Sequence, residues 1–304
     1  MTARVDGMHT NIVRDSITKA PRDGRRAPAV TDANLSTEPP LEAPWTVPFA
    51  ECVFALVDCE MTGLDPNLDA LLEVAVARVV GGVVVERFAT LLQTDVPIAA
   101  AAGALHGIDG AALVGAPMFA DVAVRLEAML AGAVPVMHGT DLDVRFLDRA
   151  FAAAGSTRRV GPGLDTLRLA RRALHSRRYS LSSLCASLDL APVRWHRAAE
   201  DVRALHGLFN RICESLAPVN ALDLWQVRAA EGRVLVRDVI AGALVAAMGS
   251  SRPVRLVFRT PGHAEREMVA RVLWFRAPHV GLAPVGTALV PAILRADRVL
   301  RVSG

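Results

Sequence analysis

The stretch FALVDCEMTGLDP, residues 54–66, decides how this chain is read. It begins as an apolar run suited to a buried strand and then places Asp58 and Glu60 two residues apart. Residues i and i+2 of a strand share a face. Both carboxylates therefore point the same way at the strand's C-terminal end, about 6 to 7 Å apart. Two acids so placed repel each other unless a cation lies between them, and hard oxygen ligands suit Mg²⁺ or Mn²⁺. An isolated pair of this kind also reads as two solvated acids at a strand end, so the stretch needs support from elsewhere.

Two further segments supply it. Asp143 follows a second short apolar run in VMHGTDLDVRFL, residues 136–147, at the start of a helical pattern. Asp201 lies five residues after His196 in WHRAAEDVRALHGLF, residues 195–209. Taken singly, Asp143 reads as a first-turn acid complementing a helix dipole, and His196 as a surface or core histidine. The ordered set is much less expected by chance: D-x-E-x-T-G, then an Asp after a strand, then H-x-x-x-x-D on a late helix.

That set resembles the DEDD exonucleases of the histidine-containing subclass, nearest to the proofreading exonucleases of bacterial DNA polymerase III. VDCEMTGLD matches the first motif, LHGI (105–108) the helix-entry segment, MHGTDLDVRFL the second motif and HRAAEDVRALHGLF the third. The resemblance covers about residues 50 to 216. It implies an α/β, ribonuclease H-like mixed sheet with flanking helices. It also implies two divalent cations, Mg²⁺ or Mn²⁺, held by Asp58, Glu60, Asp143 and Asp201, with His196 as general base. Asp58 would serve both ions, Glu60 and Asp201 the ion on the attacking side, and Asp143 the other. Thr62, Gly63 and Leu64 would meet the 3′-terminal nucleotide, and His106 and Leu142 would line the same pocket. The second motif departs from the family pattern at Gly139 and Leu142, where Asn and Phe are usual. Leu142 lacks the aromatic face on which a base can stack.

The implied activity is metal-dependent 3′→5′ release of nucleoside monophosphates from single-stranded or frayed DNA ends, with a DNA polymerase as a possible partner. DCEMTGLDP also resembles the first motif of oligoribonucleases, which leaves short RNA as an alternative substrate. A nucleic-acid-binding scaffold is the alternative outside catalysis.

The remaining sequence sets the boundaries. In 304 residues, 52% are hydrophobic and the net charge is +3, which permits a nucleic-acid partner without requiring one. Cys52, Cys59, Cys185 and Cys213 form no C-x-x-C pair and read as reduced thiols of a cytoplasmic protein. No apolar run reaches membrane-span length, and the N-terminus has no apolar signal core.

Residues 1–48 read as a disordered tail, 49–217 as the exonuclease domain and 220–304 as a small basic β-rich accessory domain. The patterns predict strands over 51–58, 71–80 and 83–92, the last two joined at Gly81-Gly82. They further predict a short helix capped by Asp109 and a helix over 118–131. A strand over 134–138 and helices over 141–153, from Asp165 or Thr166, over 181–188 and to about 216 follow. The run 234–248 is ambiguous between strand and helix. The last segments weakly resemble a WYL-type barrel, and an open sheet fits them equally. From Pro218 onward there are twelve Arg and six acids, a balance that suits phosphate contacts.

Overall fold

Gly81 and Gly82, with φ of 56° and 79°, reverse the chain between two strands. Left-handed residues at both turn positions match the twist of a two-residue hairpin. The computed structural model describes residues 40–139, 141–190, 194–229, 236–260, 265–286 and 292–304. In it β1 (Phe54–Met61), β2 (Leu71–Val80) and β3 (Val83–Leu91) form an antiparallel meander. β2 is apolar and almost wholly buried, whereas β3 alternates and forms the sheet edge. After α1 (Ala100–His106) and α2 (Phe119–Leu130), the chain crosses to β4 (Val134–Met137), parallel to β1. Then come α3 (Asp141–Ala153), β5 (Leu164–Asp165), α4 (Thr166–Ala173), α5 (Leu181–Ser187) and α6 (Ala198–Leu216).

The sheet order is β3-β2-β1-β4-β5, the mixed sheet expected from the sequence. Its two faces are read directly off β1. Phe54 and Leu56 pack with Leu205, Leu208 and Phe209 of α6, while Ala55, Val57, Cys59 and Met61 pack with α2 and α3. Period-two alternation thus sends Asp58 and Glu60 to the α6 side. Local capping sets the helix starts: Asp165 accepts from the Leu167 amide and Ser180 from that of Ser183.

A second sheet follows α7 (Ala221–Ala229) and α8 (Asp238–Ser250). It comprises β6 (Val254–Arg259), β7 (Glu265–Arg276), β8 (His279–Pro284), β9 (Ala292–Arg295) and β10 (Val299–Ser303). All its pairings are antiparallel, in the order β10-β6-β7-β8-β9. Among the described residues this is an open sheet rather than a closed barrel. Of the ambiguous run 234–248, residues 234 and 235 lie outside the described residues, and from Asp238 onward it is α8, which lays Ile240, Leu244 and Ala247 on one sheet face.

The two sheets meet at the C-terminal end of α6. Arg237, 1% exposed, donates from Nε to Asp223 at 2.8 Å and from Nη1 to the carbonyls of Leu216 (2.8 Å) and Leu300 (3.1 Å). Arg301 reaches the carbonyls of Glu214 and Ser215.

Three expectations change. The helix near LHGI precedes Asp109 rather than following it: α1 ends at Gly107, which takes a left-handed φ of 66°. Asp109 instead accepts from the Ala112 amide within a turn. The first strand begins at Phe54, since residues 48–51 turn against Val219 and Asn220. Most of the tail expected over 1–48 lies outside the described residues, yet Trp45 is buried edge-on against Trp225 at 5.4 Å. No helix of the described residues is long and apolar enough to cross a membrane.

Candidate active site

β1 and β4 pair only over Phe54–Leu56. Two residues later β1 carries Asp58 beyond the end of that ladder. Asp58 therefore stands at the carboxyl ends of the parallel strands, where open α/β sheets take ligands in a crevice.

Three elements bring acids to this crevice. β1 supplies half-buried Asp58 and buried Glu60, α3 supplies Asp143 in its first turn, and α6 supplies Asp201 in its first turn. Ligand atoms of Glu60, His196 and Asp201 lie within 4.8 Å of one another. The Asp201 Oδ2 accepts from the His196 amide at 3.1 Å, while its Oδ1 is buried without a partner. His196 sits just before α6 with φ of 59°. That left-handed conformation is uncommon for a residue with a side chain, and it sets His196 beside both acids.

The electrostatics are those of crowded, buried acids. Burial and the charges of Asp143, Asp201, Glu60 and Glu73 hold Asp58 well above the usual carboxylate range. Burial, then Asp201, Glu73 and Asp143, push Glu60 up to about 8, with Arg197 opposing. Burial raises Asp143 to about 7 against hydrogen bonds from the amides of Cys59 and of Asp143 itself, and raises Asp201 to about 6. Carboxyls crowded in a low-dielectric site resist joint ionisation unless a cation joins them. The orphaned Asp201 oxygen and the all-carboxylate-plus-imidazole donor set fit hard divalent ions.

The expected nucleotide contacts are distributed differently. Thr62 is fully buried: its hydroxyl donates to Asp69 at 3.0 Å and accepts from the Ala70 amide. Through its side chain it braces the 62–70 loop. Gly63 is required from within, because a Cβ there would lie 2.5 Å from an Asp69 carboxylate oxygen. Leu64 does stand out from the loop, 79% exposed. His106 is buried, and its Nδ1 accepts from the Ile108 amide at 2.9 Å, so it first serves its own turn. Leu142 is half-buried and packs on the α2/α3 side of β1. His138, at the head of the second motif, is held between the Thr166 hydroxyl and the Tyr179 carbonyl.

One acid was not singled out from the sequence. Glu73 of β2 stands opposite Glu60 in the ladder and is buried. An acid inside the apolar run LLEVAVARVV was the available signal.

The family model described as Exonuclease matches residues 56–209, just over half of the chain. A PolC-type DNA polymerase III of Thermotoga maritima is 30% identical over 176 residues, which are 58% of this chain and 13% of that protein. The DNA polymerase III subunit epsilon of Aquifex aeolicus is 29% identical over 164 residues, 54% of this chain and 81% of that protein. The chain thus spans only a small part of the PolC-type relatives. Among solved structures, the zinc-bound E. coli exonuclease I–ssDNA complex aligns at a TM-score of 0.50 and 13% identity, over 83% of this chain and 64% of that one. That likeness concerns the fold alone. By the match over residues 56–209, which contains all four acids and His196, the chain belongs to the exonuclease family.

Proposed function

We propose that this chain is a metal-dependent 3′→5′ exonuclease that releases nucleoside monophosphates from single-stranded or frayed DNA ends. The observation that carries the reading is the convergence of Asp58, Glu60, Asp143 and Asp201 from three elements at carboxyl pKa values far above normal. A binding surface has no use for four mutually repelling acids, whereas phosphodiester hydrolysis does.

Two divalent ions, when bound, would stabilise charge on the attacking and leaving oxygens of an in-line displacement. Asp58, centrally placed among the acids, would serve both. Glu60 and Asp201 would hold one ion and Asp143 the other. His196, beside Glu60 and Asp201, would take the proton of the attacking water as general base. Leu64 would lie against the terminal base, while the Thr62–Asp69 brace keeps the loop in place. The open second sheet, rich in Arg, would form an accessory unit. The PolC-type and epsilon relatives are named for DNA polymerase III, and a DNA polymerase is the proposed partner.

The test supplies Mg²⁺ or Mn²⁺ with 3′-ended single-stranded DNA, mismatched duplex and short RNA. Mononucleotide release from DNA is expected, falling at least about a thousandfold in Asp58→Ala. Absence of release from every substrate would overturn the reading, and preference for RNA dinucleotides would replace the substrate.

A further inference from the structure

His196 is followed directly by Arg197, whose guanidinium grips Glu73 with two parallel bonds, Nε to Oε2 and Nη2 to Oε1, each 3.0 Å. The same Glu73 oxygen Oε2 also accepts from the Ala198 amide at 3.1 Å. One carboxylate on the central sheet therefore fixes both the residue after His196 and the first residue of α6. Glu73 is 5% exposed, and bidentate Arg–carboxylate pairing is both strong and geometrically demanding. On the other side of His196, Arg194 donates to the His106 carbonyl at 3.3 Å and leans over Gly107.

We propose that Glu73 and Arg197 are positioning residues that act through His196, holding its left-handed backbone so that the imidazole stays beside Glu60 and Asp201. This rests on the catalytic reading above. The pair has a geometric reason to be more than a fold contact. A left-handed histidine is strained, so the surrounding structure must over-determine it, and Glu73 makes three of the bonds that do so. Lysine in place of Arg197 would keep the charge but present no planar fork. Glutamine in place of Glu73 would keep one acceptor and lose the ionic grip.

The experiment measures kcat and KM on a single-stranded DNA 3′ end for Glu73→Gln, Arg197→Lys, the double variant, and each in a His196→Ala background. In the otherwise native chain, each single variant is expected to lower kcat about 10- to 100-fold with KM within about twofold, because proton transfer is affected and strand binding is not. The double variant is expected to be no slower than the worse single one, since the two act as a unit. In His196→Ala, Glu73→Gln is expected to cost nothing further. Equal slowing with and without His196 would show a merely structural role and overturn the proposal. Arg197→Lys, whose side chain is partly exposed, keeps the test usable if Glu73→Gln folds poorly. If the native chain shows no nuclease activity, the catalytic reading fails by itself. The positioning is then read from the imidazole NMR resonances of His196, which are expected to shift and broaden in Arg197→Lys. Unchanged resonances would overturn it.

Discussion

Glu60 and Glu73 face each other directly across the β1–β2 ladder, acid against acid, at the mouth of the crevice. Like charges in that relation destabilise a sheet. The Arg197 guanidinium answers Glu73 and also lowers the pKa of Glu60, but Asp58, Asp143 and Asp201 still add negative charge around it.

The consequence is a fold that is less stable when its acids ionise. Asp58, Glu60, Asp143 and Asp201 all titrate higher in the folded chain than in the unfolded one. The unfolded state therefore gives up these protons first, so stability falls as pH rises from about 4, the unfolded carboxyl range, to beyond about 8, where Glu60 has titrated. Thermal unfolding of the metal-free protein should give a lower Tm at about pH 8.5 than at about pH 6. Mg²⁺ or Mn²⁺ should restore it at the higher pH, and Asp58→Asn should raise the metal-free value. A Tm at the higher pH that ignores divalent ions would count against a carboxylate-bound metal pair.

His196→Ala should reduce turnover by roughly 10²- to 10⁴-fold, the usual worth of a positioned general base. Affinity for a 3′-ended strand should change little. Single-turnover kinetics separates the two, and a loss carried wholly by KM would assign His196 to binding.

Gly63→Ala should displace Asp69, because the new methyl carbon would overlap its carboxylate. The Thr62 hydroxyl would then lose its acceptor. A stability loss of about 1–3 kcal/mol is expected from such overpacking, together with a raised KM for DNA ends. By contrast, Leu64→Ala should leave stability within about 0.5 kcal/mol, as for an exposed side chain, and still raise KM. Urea denaturation beside steady-state kinetics tests both; an unaltered KM in Leu64→Ala would remove this residue from the strand-binding surface.

Arg237→Ala removes one partner of a buried ion pair and strands Asp223, which is 4% exposed. Breaking such a pair costs about 3–5 kcal/mol. Because Arg237 also holds the carbonyls of Leu216 and Leu300, the loss should register in both sheets together. Coincident transitions for probes at Trp225 and Trp274 would show this, and separate transitions would contradict it.

Much of this was legible because it is local. The Gly81-Gly82 turn, the Asp165 and Ser180 caps and the apolar period of α6 are each written within a few residues. The spacing of Asp58 and Glu60 on one face follows from strand geometry alone. What escaped depends on partners distant in the chain. Glu73 gains its meaning only from Arg197, 124 residues later. The Thr62–Asp69 bond is nearer in sequence, yet the loop between them hides it. α1 was missed because AAAGALH, residues 100–106, has no acid or polar cap at its start. α8 was ambiguous because apolar residues surround it on most sides in sequence, and only the sheet beneath it chooses a face.

The placement of α6 has one more implication. Asp201 stands in its first turn, and Ser215, bonded to Glu265 of the second sheet, in its last. Fourteen residues separate them, roughly 21 Å at the helical rise. The helix is thus a single stiff lever between the acid cluster and the second sheet, so a displacement of the second sheet would be carried along it to Asp201.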